Sequence, residues 1–114
     1  MTIELHIAIT AREGMQERIE PWFDEVFAPA LRRQAGFQSA ALMAAYSDAV
    51  QEAIGASPAE TPTLVVIRFD TEQQRAAWVE SDDHTHAWGA VEEIAHHRAH
   101  YGWTVLSASE SASD

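Results

Sequence analysis

The first thirty residues change their hydrophobic period once, and that change fixes the kind of domain the chain can build. Ile3, Leu5, Ile7 and Ile9 alternate with Glu4, His6 and Ala8, the period of a half-buried strand. From Met15 the apolar positions run Met15, Ile19, Trp22, Phe23, Val26, Phe27, Ala30 and Leu31, a stripe at helical spacing that Gly36 stops. The stripe predicts a helix over roughly 15–35, with a bend or break near Pro21 or Pro29, because each proline lacks a backbone donor. A strand with one apolar face, followed by a helix with one apolar stripe, commits the chain to a sheet with helices packed on it.

The remaining segments extend that plan. Residues 37–46 read as a second strand, and 47–62, with Gly55, Pro58 and Pro62, as a long connection holding a helical turn at 48–54. Residues 63–70 (TLVVIRFD) form the clearest strand. Asp70 or Thr71 then starts a helix over 71–81, with Gln73 or Gln74 at the reciprocal capping position. Asp82 and Asp83 open a third helix with His84, Ala87, Trp88, Val91, Ile94 and Ala95 on one face, and residues 99–107 alternate as a last strand. This order is the ferredoxin-like split βαβ plan, an α+β fold with one antiparallel sheet and helices on one face. Apolar strand residues fall on both faces, so the uncovered face predicts a homodimer in which two sheets pair. Residues 1–107 are expected to form a single domain, and 108–114 a disordered polar tail.

Composition narrows the chemistry. With 114 residues the chain can stand on one hydrophobic core, and with no cysteine it has no disulfide, thiolate metal site or Cys nucleophile. Seven Arg, no Lys and eighteen acidic residues give a net charge of −11, a field that opposes nucleic acid and anionic membrane surfaces. No apolar run approaches the roughly 20 residues of a membrane helix, and the N-terminus lacks a basic leader, so the expectation is a soluble protein with the cytoplasm as its default location. Nucleotide-binding, P-loop, nucleophile-elbow and zinc-protease motifs are all missing from the sequence.

The residues that remain for chemistry cluster around the helix pair. Trp78 stands near the end of one helix, His84, His86 and Trp88 at the start of the next, and Trp22 and Phe23 are expected to face them from the first helix. Aromatic rings stack on flat ligands and an imidazole exchanges protons near neutral pH, so the group suits a small aromatic ligand; the same tryptophans also suit a plain core. Gly89, inside a helix, suggests close packing. His96 and His100 have helical ligand spacing, while His96, His97 and Arg98 equally suit interaction with a helix C-terminus. Arg68 points either into the pocket or to a solvent-facing ion pair, and His6 to the dimer interior.

Between residues 3 and 107 the chain resembles the antibiotic biosynthesis monooxygenase family of dimeric α/β-barrel proteins. The resemblance rests on the turn Arg12-Glu13-Gly14, the helix end Ala35-Gly36-Phe37 and the strand Leu64–Phe69 entering the helix Thr71–Ser81. Trp78-Val79-Glu80-Ser81-Asp82 is similar to the Trp-x-x-Ser-Asp of the haem-degrading branch. The resemblance implies a cofactor-independent monooxygenase acting on a small aromatic or quinol, with His84 as the catalytic base, Trp22, Phe23, Trp78 and Trp88 around the ligand, and neither metal nor cofactor. A non-enzymatic, small-ligand-binding or stress-associated dimer is the alternative, and haem binding a second. The chain departs from the haem-degrading pattern twice: Trp88 stands where that branch has its iron-binding His, and Ile7 near the position of its first-strand Asn.

Overall fold

The computed structural model describes residues 1–111, with the side chain of Arg98 left aside. Four strands, β1 (Ile3–Ala11), β2 (Phe37–Ala44), β3 (Thr63–Phe69) and β4 (Ala95–Thr104), form one antiparallel sheet in the order β2-β3-β1-β4. The helical segments are α1 (Gln16–Trp22), α2 (Ala28–Arg32), α3 (Asp48–Ala53), α4 (Glu72–Glu80) and α5 (Asp82–Glu92). Strand–helix–strand, strand–helices–strand with the first and third strands central is the ferredoxin-like arrangement that the sequence predicts. β3 alternates buried and half-buried residues along its length, and Val65, Ile67 and Phe69 meet Ile7 and Ile9 of β1 in one core with Phe27, Leu31, Trp78, Ala87 and Val91 from the helices. Of the tail, residues 112–114 lie outside the described residues.

The first helix breaks between its two prolines, as expected. Phe23–Phe27 is a π-helical turn, closed where the Ala28 N–H reaches back five residues to the Phe23 carbonyl. Pro29 has no N–H to donate and its ring crowds the preceding turn, and the wider π turn accommodates both. At the far end Gly36 adopts φ 81°, and a Cβ there would stand 2.0 Å from the Gln74 side chain. Gly36 thus serves the helix stop and a close approach to α4 together.

Three expectations require correction, although the third helix starts at Asp82 as expected, with Ser81 as its cap, whose Oγ accepts the His84 N–H at 3.1 Å. It ends at Glu92, so Ile94 and Ala95 leave its face, and β4 begins at Ala95, four residues before the predicted strand. His96, His97 and His100 therefore lie on a strand. Among the described residues a cation does stand at the α5 C-terminus, Arg12, whose Nε donates to the Glu92 carbonyl at 3.0 Å. Gly89 is exposed, and a Cβ there would meet nothing within 4 Å, so no close packing requires it.

The face of the sheet away from the helices is mixed. Met43, Tyr101 and Trp103 are exposed on it, beside a chain of charges in which Glu4 accepts from Arg68 Nε at 2.6 Å and pairs with His6 Nε2 at 2.5 Å. Arg68 is thereby the ion-pair residue and does not reach the helix side. The two partners hold the Glu4 carboxyl below its ordinary pKa, the His6 hydrogen bond first and the Arg68 hydrogen bond second.

Candidate functional site

One serine hydroxyl builds the corner on which the site depends. Ser81 Oγ donates to the Trp78 carbonyl at 2.6 Å and accepts the His84 N–H at 3.1 Å, ending α4 and starting α5 with a single group. Trp78 and His84 are therefore brought edge to face, with ring centroids 5.0 Å apart at 85°. One turn further along α5, the Trp88 indole lies nearly parallel to the His84 ring, 6.2 Å away at 11°. The Trp-x-x-Ser spacing is in this chain a helix-to-helix corner that presents two aromatic rings and one imidazole.

These side chains line a cavity of about 230 Å³ between the helix pair and the sheet. Leu5 and Ile7 of β1 and Phe27, Val79, Trp78 and Trp88 supply its apolar walls, and Arg75, His84, His97 and His100 its polar groups. Phe27 holds the two tryptophans apart, 5.8 Å from Trp78 and 6.0 Å from Trp88. Trp22 and Phe23 do not line this cavity. Trp22 is buried behind it, hydrogen-bonded through its indole to the Ala87 carbonyl at 2.8 Å and set edge-on to Trp88, while Phe23 faces a separate groove between α1 and β2.

His97 and His100 reach the cavity through a defect in β4. Ala8 pairs with Ala99 but Ile9 pairs with His97, so Arg98 is the extra residue of a β-bulge. His97 and His100, opposite Ile9 and Ile7, consequently share the helix-covered face although they stand an odd number of positions, three, apart. Their rings stack at 5.2 Å, with His100 Nδ1 and His97 Nε2 hydrogen-bonded at 3.2 Å, and Trp88 sets its edge against His97 at 5.8 Å. Residue alternation alone would put them on opposite faces. Nothing in the sequence, such as a glycine, marks the bulge, and so both were missed as cavity residues.

The imidazole of His84 has the environment of a base. Burial against the tryptophans pushes its pKa below the ordinary histidine value, which keeps it neutral at pH 7. Among the described residues its ring nitrogens make no hydrogen bond, only its backbone N–H does. Arg75 stays on the wall by a two-fold hydrogen bond to Glu72 one turn back, at 2.7 and 2.5 Å. His86 lies on the exposed side of α5. Among the described residues no three His, Asp or Glu side chains are grouped to hold a metal ion, and no helix is long and apolar enough to cross a membrane.

No protein-family model matches the chain. No curated protein matches its sequence either. Solved structures do match in fold. HapK from Hahella chejuensis superposes with a TM-score of 0.77 at 14% identity, over 99% of this chain and 100% of that one. SnoaB from Streptomyces nogalater, described as a cofactor-independent oxygenase, gives 0.73 at 12% identity over 94% and 95%. A dimeric ferredoxin-like protein of unknown function from Thermobifida fusca gives 0.69 at 14% identity over 92% of each chain. The chain therefore has the ferredoxin-like fold of these proteins, in agreement with the family resemblance read from its sequence.

Proposed function

We propose that this protein is a cofactor-independent oxygenase of small aromatic substrates, working as a homodimer. The observation that carries the reading is the His84 imidazole, which among the described residues makes no ring hydrogen bond, is set between two indoles on the wall of a largely apolar cavity and is held toward its neutral form by burial. A phenol lying against Trp78 or Trp88 can give its proton to that nitrogen, and the phenolate is then electron-rich enough to reduce oxygen itself. For 1-naphthol the balance is one naphthol plus one O2 to 1,4-naphthoquinone plus one water. The naphtholate passes electrons to O2, a C–O bond forms at the para carbon, and loss of the proton from that carbon breaks the O–O bond, one oxygen leaving as water. Likeness in fold to a protein described as a cofactor-independent oxygenase supports the reading.

Cavity size narrows the substrate. A dry protein cavity of about 150 Å³ accepts benzene, so 230 Å³ suits one or two fused rings rather than three. The same volume lies below the roughly 300 Å³ at which pockets for drug-sized ligands begin, which favours a small aromatic over a porphyrin.

The dimer rests on the uncovered sheet face, where Tyr101 and Trp103 remain 58% and 57% exposed, and on the dimeric description of a protein with the same fold. Light scattering at low micromolar concentration should give twice the 12.6 kDa chain mass; a monomer would overturn the assembly. Oxygen uptake with 1-naphthol, without flavin or metal, tests the chemistry. His84→Ala should slow it by about a hundredfold while binding is largely kept. Binding without oxygen uptake would leave a ligand-binding protein instead.

A further inference from the structure

The polar groups of the cavity are all of one kind. Arg75, His84, His97 and His100 are the charged or titratable side chains on its wall, and among the described residues no carboxylate lines it, in a chain whose net charge is −11. A guanidinium and three imidazoles, set among Leu5, Ile7, Phe27 and two tryptophans, complement a ligand that is flat, apolar and negatively charged at one edge. In a protein that carries eighteen acidic residues, the one permanently charged side chain on this wall is a cation, Arg75, whose acidic partner Glu72 stands outside the lining.

We infer that the ligand of this cavity is an aromatic carboxylate of one or two rings, bound by Arg75. The inference rests on the proposal that the cavity takes aromatic ligands, and adds the acid group. A guanidinium has five N–H donors, and the Glu72 pair occupies two of them, which leaves three for a second carboxylate. Glu72 is the weaker claimant. Its side chain is 61% exposed, and Arg75, one helical turn away, is its hydrogen-bond partner, so an aromatic carboxylate that also buries its rings against Trp78 and Trp88 competes well for the same fork. The neutral His84 nitrogen is then left for a ring hydroxyl. This arrangement gives a role to the one guanidinium on a wall otherwise made of apolar side chains and imidazoles.

The test is calorimetric titration of the intact protein with two probes that share one ring system, 2-naphthol and 6-hydroxy-2-naphthoate, at pH 7.5 under nitrogen. The naphthoate should bind at least tenfold more tightly than the naphthol. Arg75→Gln should remove most of that ratio while leaving naphthol affinity within about twofold, and Glu72→Gln, which withdraws the competing carboxylate, should tighten the naphthoate severalfold. The Glu72 variant keeps the test decisive even if the Arg75 variant unfolds. Equal affinities for the two probes, or a naphthoate affinity that falls in Glu72→Gln, would overturn the inference and leave the oxygenase proposal standing. Failure of both probes to bind would overturn the aromatic-ligand cavity and the inference together. Tight, Arg75-dependent naphthoate binding in a protein that consumes no oxygen would uphold the inference and sink the oxygenase.

Discussion

The indole N–H of Trp22 donates to the carbonyl of Ala87 at 2.8 Å, tying the first helix to α5 directly behind the cavity. Both residues are buried, so no water can take the place of either partner. Trp22→Phe leaves that carbonyl short of a donor and shrinks a packed ring, and should cost about 1–3 kcal/mol. Thermal denaturation will read it; an unchanged melting temperature would mean that the bond contributes nothing.

Ser81→Ala should be costlier than an ordinary surface change. The hydroxyl closes one helix and opens the next, and loss of an N-cap alone costs about 0.5–2 kcal/mol. Because the same bonds set the angle between Trp78 and His84, ligand affinity should fall as well. Ser81→Thr, which keeps the hydroxyl, should restore most of both.

Two glycines should respond in opposite directions to alanine. Gly89 is exposed, inside a helix, with open space at its Cβ position, so Gly89→Ala should stabilise by up to about 1 kcal/mol. Gly36 sits at φ 81° against the Gln74 side chain, so Gly36→Ala should destabilise by about 1–3 kcal/mol. Chemical denaturation of the pair separates backbone propensity from close approach, and equal effects would contradict both assignments.

Burial of His84 makes stability depend on acidity in a definite direction. Its folded pKa lies below the ordinary 6.5, so on acidification the unfolded chain takes up a proton that the folded site resists. Stability should therefore be full above pH 7.5, fall as pH drops through about 6.5, and stop falling from this cause once the folded pKa is passed. Glu4 acts lower down: its depressed pKa stabilises the fold above the ordinary 4.5 and that contribution is lost as pH falls below it. His84→Gln should flatten the slope between pH 7 and 5 in denaturant midpoints and leave the one below pH 4.5 in place. A variant with the wild-type slope would show that burial of this ring is not its source.

Which of these features could be read from sequence depends on whether they are local. The alternation of β1 and β3 and the Thr71 cap are each written within a few residues, and Thr71 does accept the Gln74 N–H at 3.1 Å. The boundary between α5 and β4 is not. Ile94 and Ala95 continue the helical spacing of Val91, yet the chain turns after Glu92 because Arg12, eighty residues earlier, meets the Glu92 and Ile94 carbonyls. His97 and His100 were invisible as cavity residues for the same kind of reason, since a bulge is a property of two paired strands. Phe27 was visible as apolar, but its place between Trp78 and Trp88 follows from the π turn.

That turn holds one residue more than an α-helical turn would, and each α-helical residue advances about 100° around the axis. Phe23–Phe27 therefore acts as a phase slip: it lets Trp22 just before the turn and Phe27 at its end both meet Trp88. Removing a single exposed residue such as Glu25 would restore one phase throughout and swing Phe27 away from both indoles, joining the cavity to the space left behind. The volume open to a ligand is in this sense set by the length of the chain between two prolines, a dimension that can be changed one residue at a time without substituting any side chain of the cavity wall.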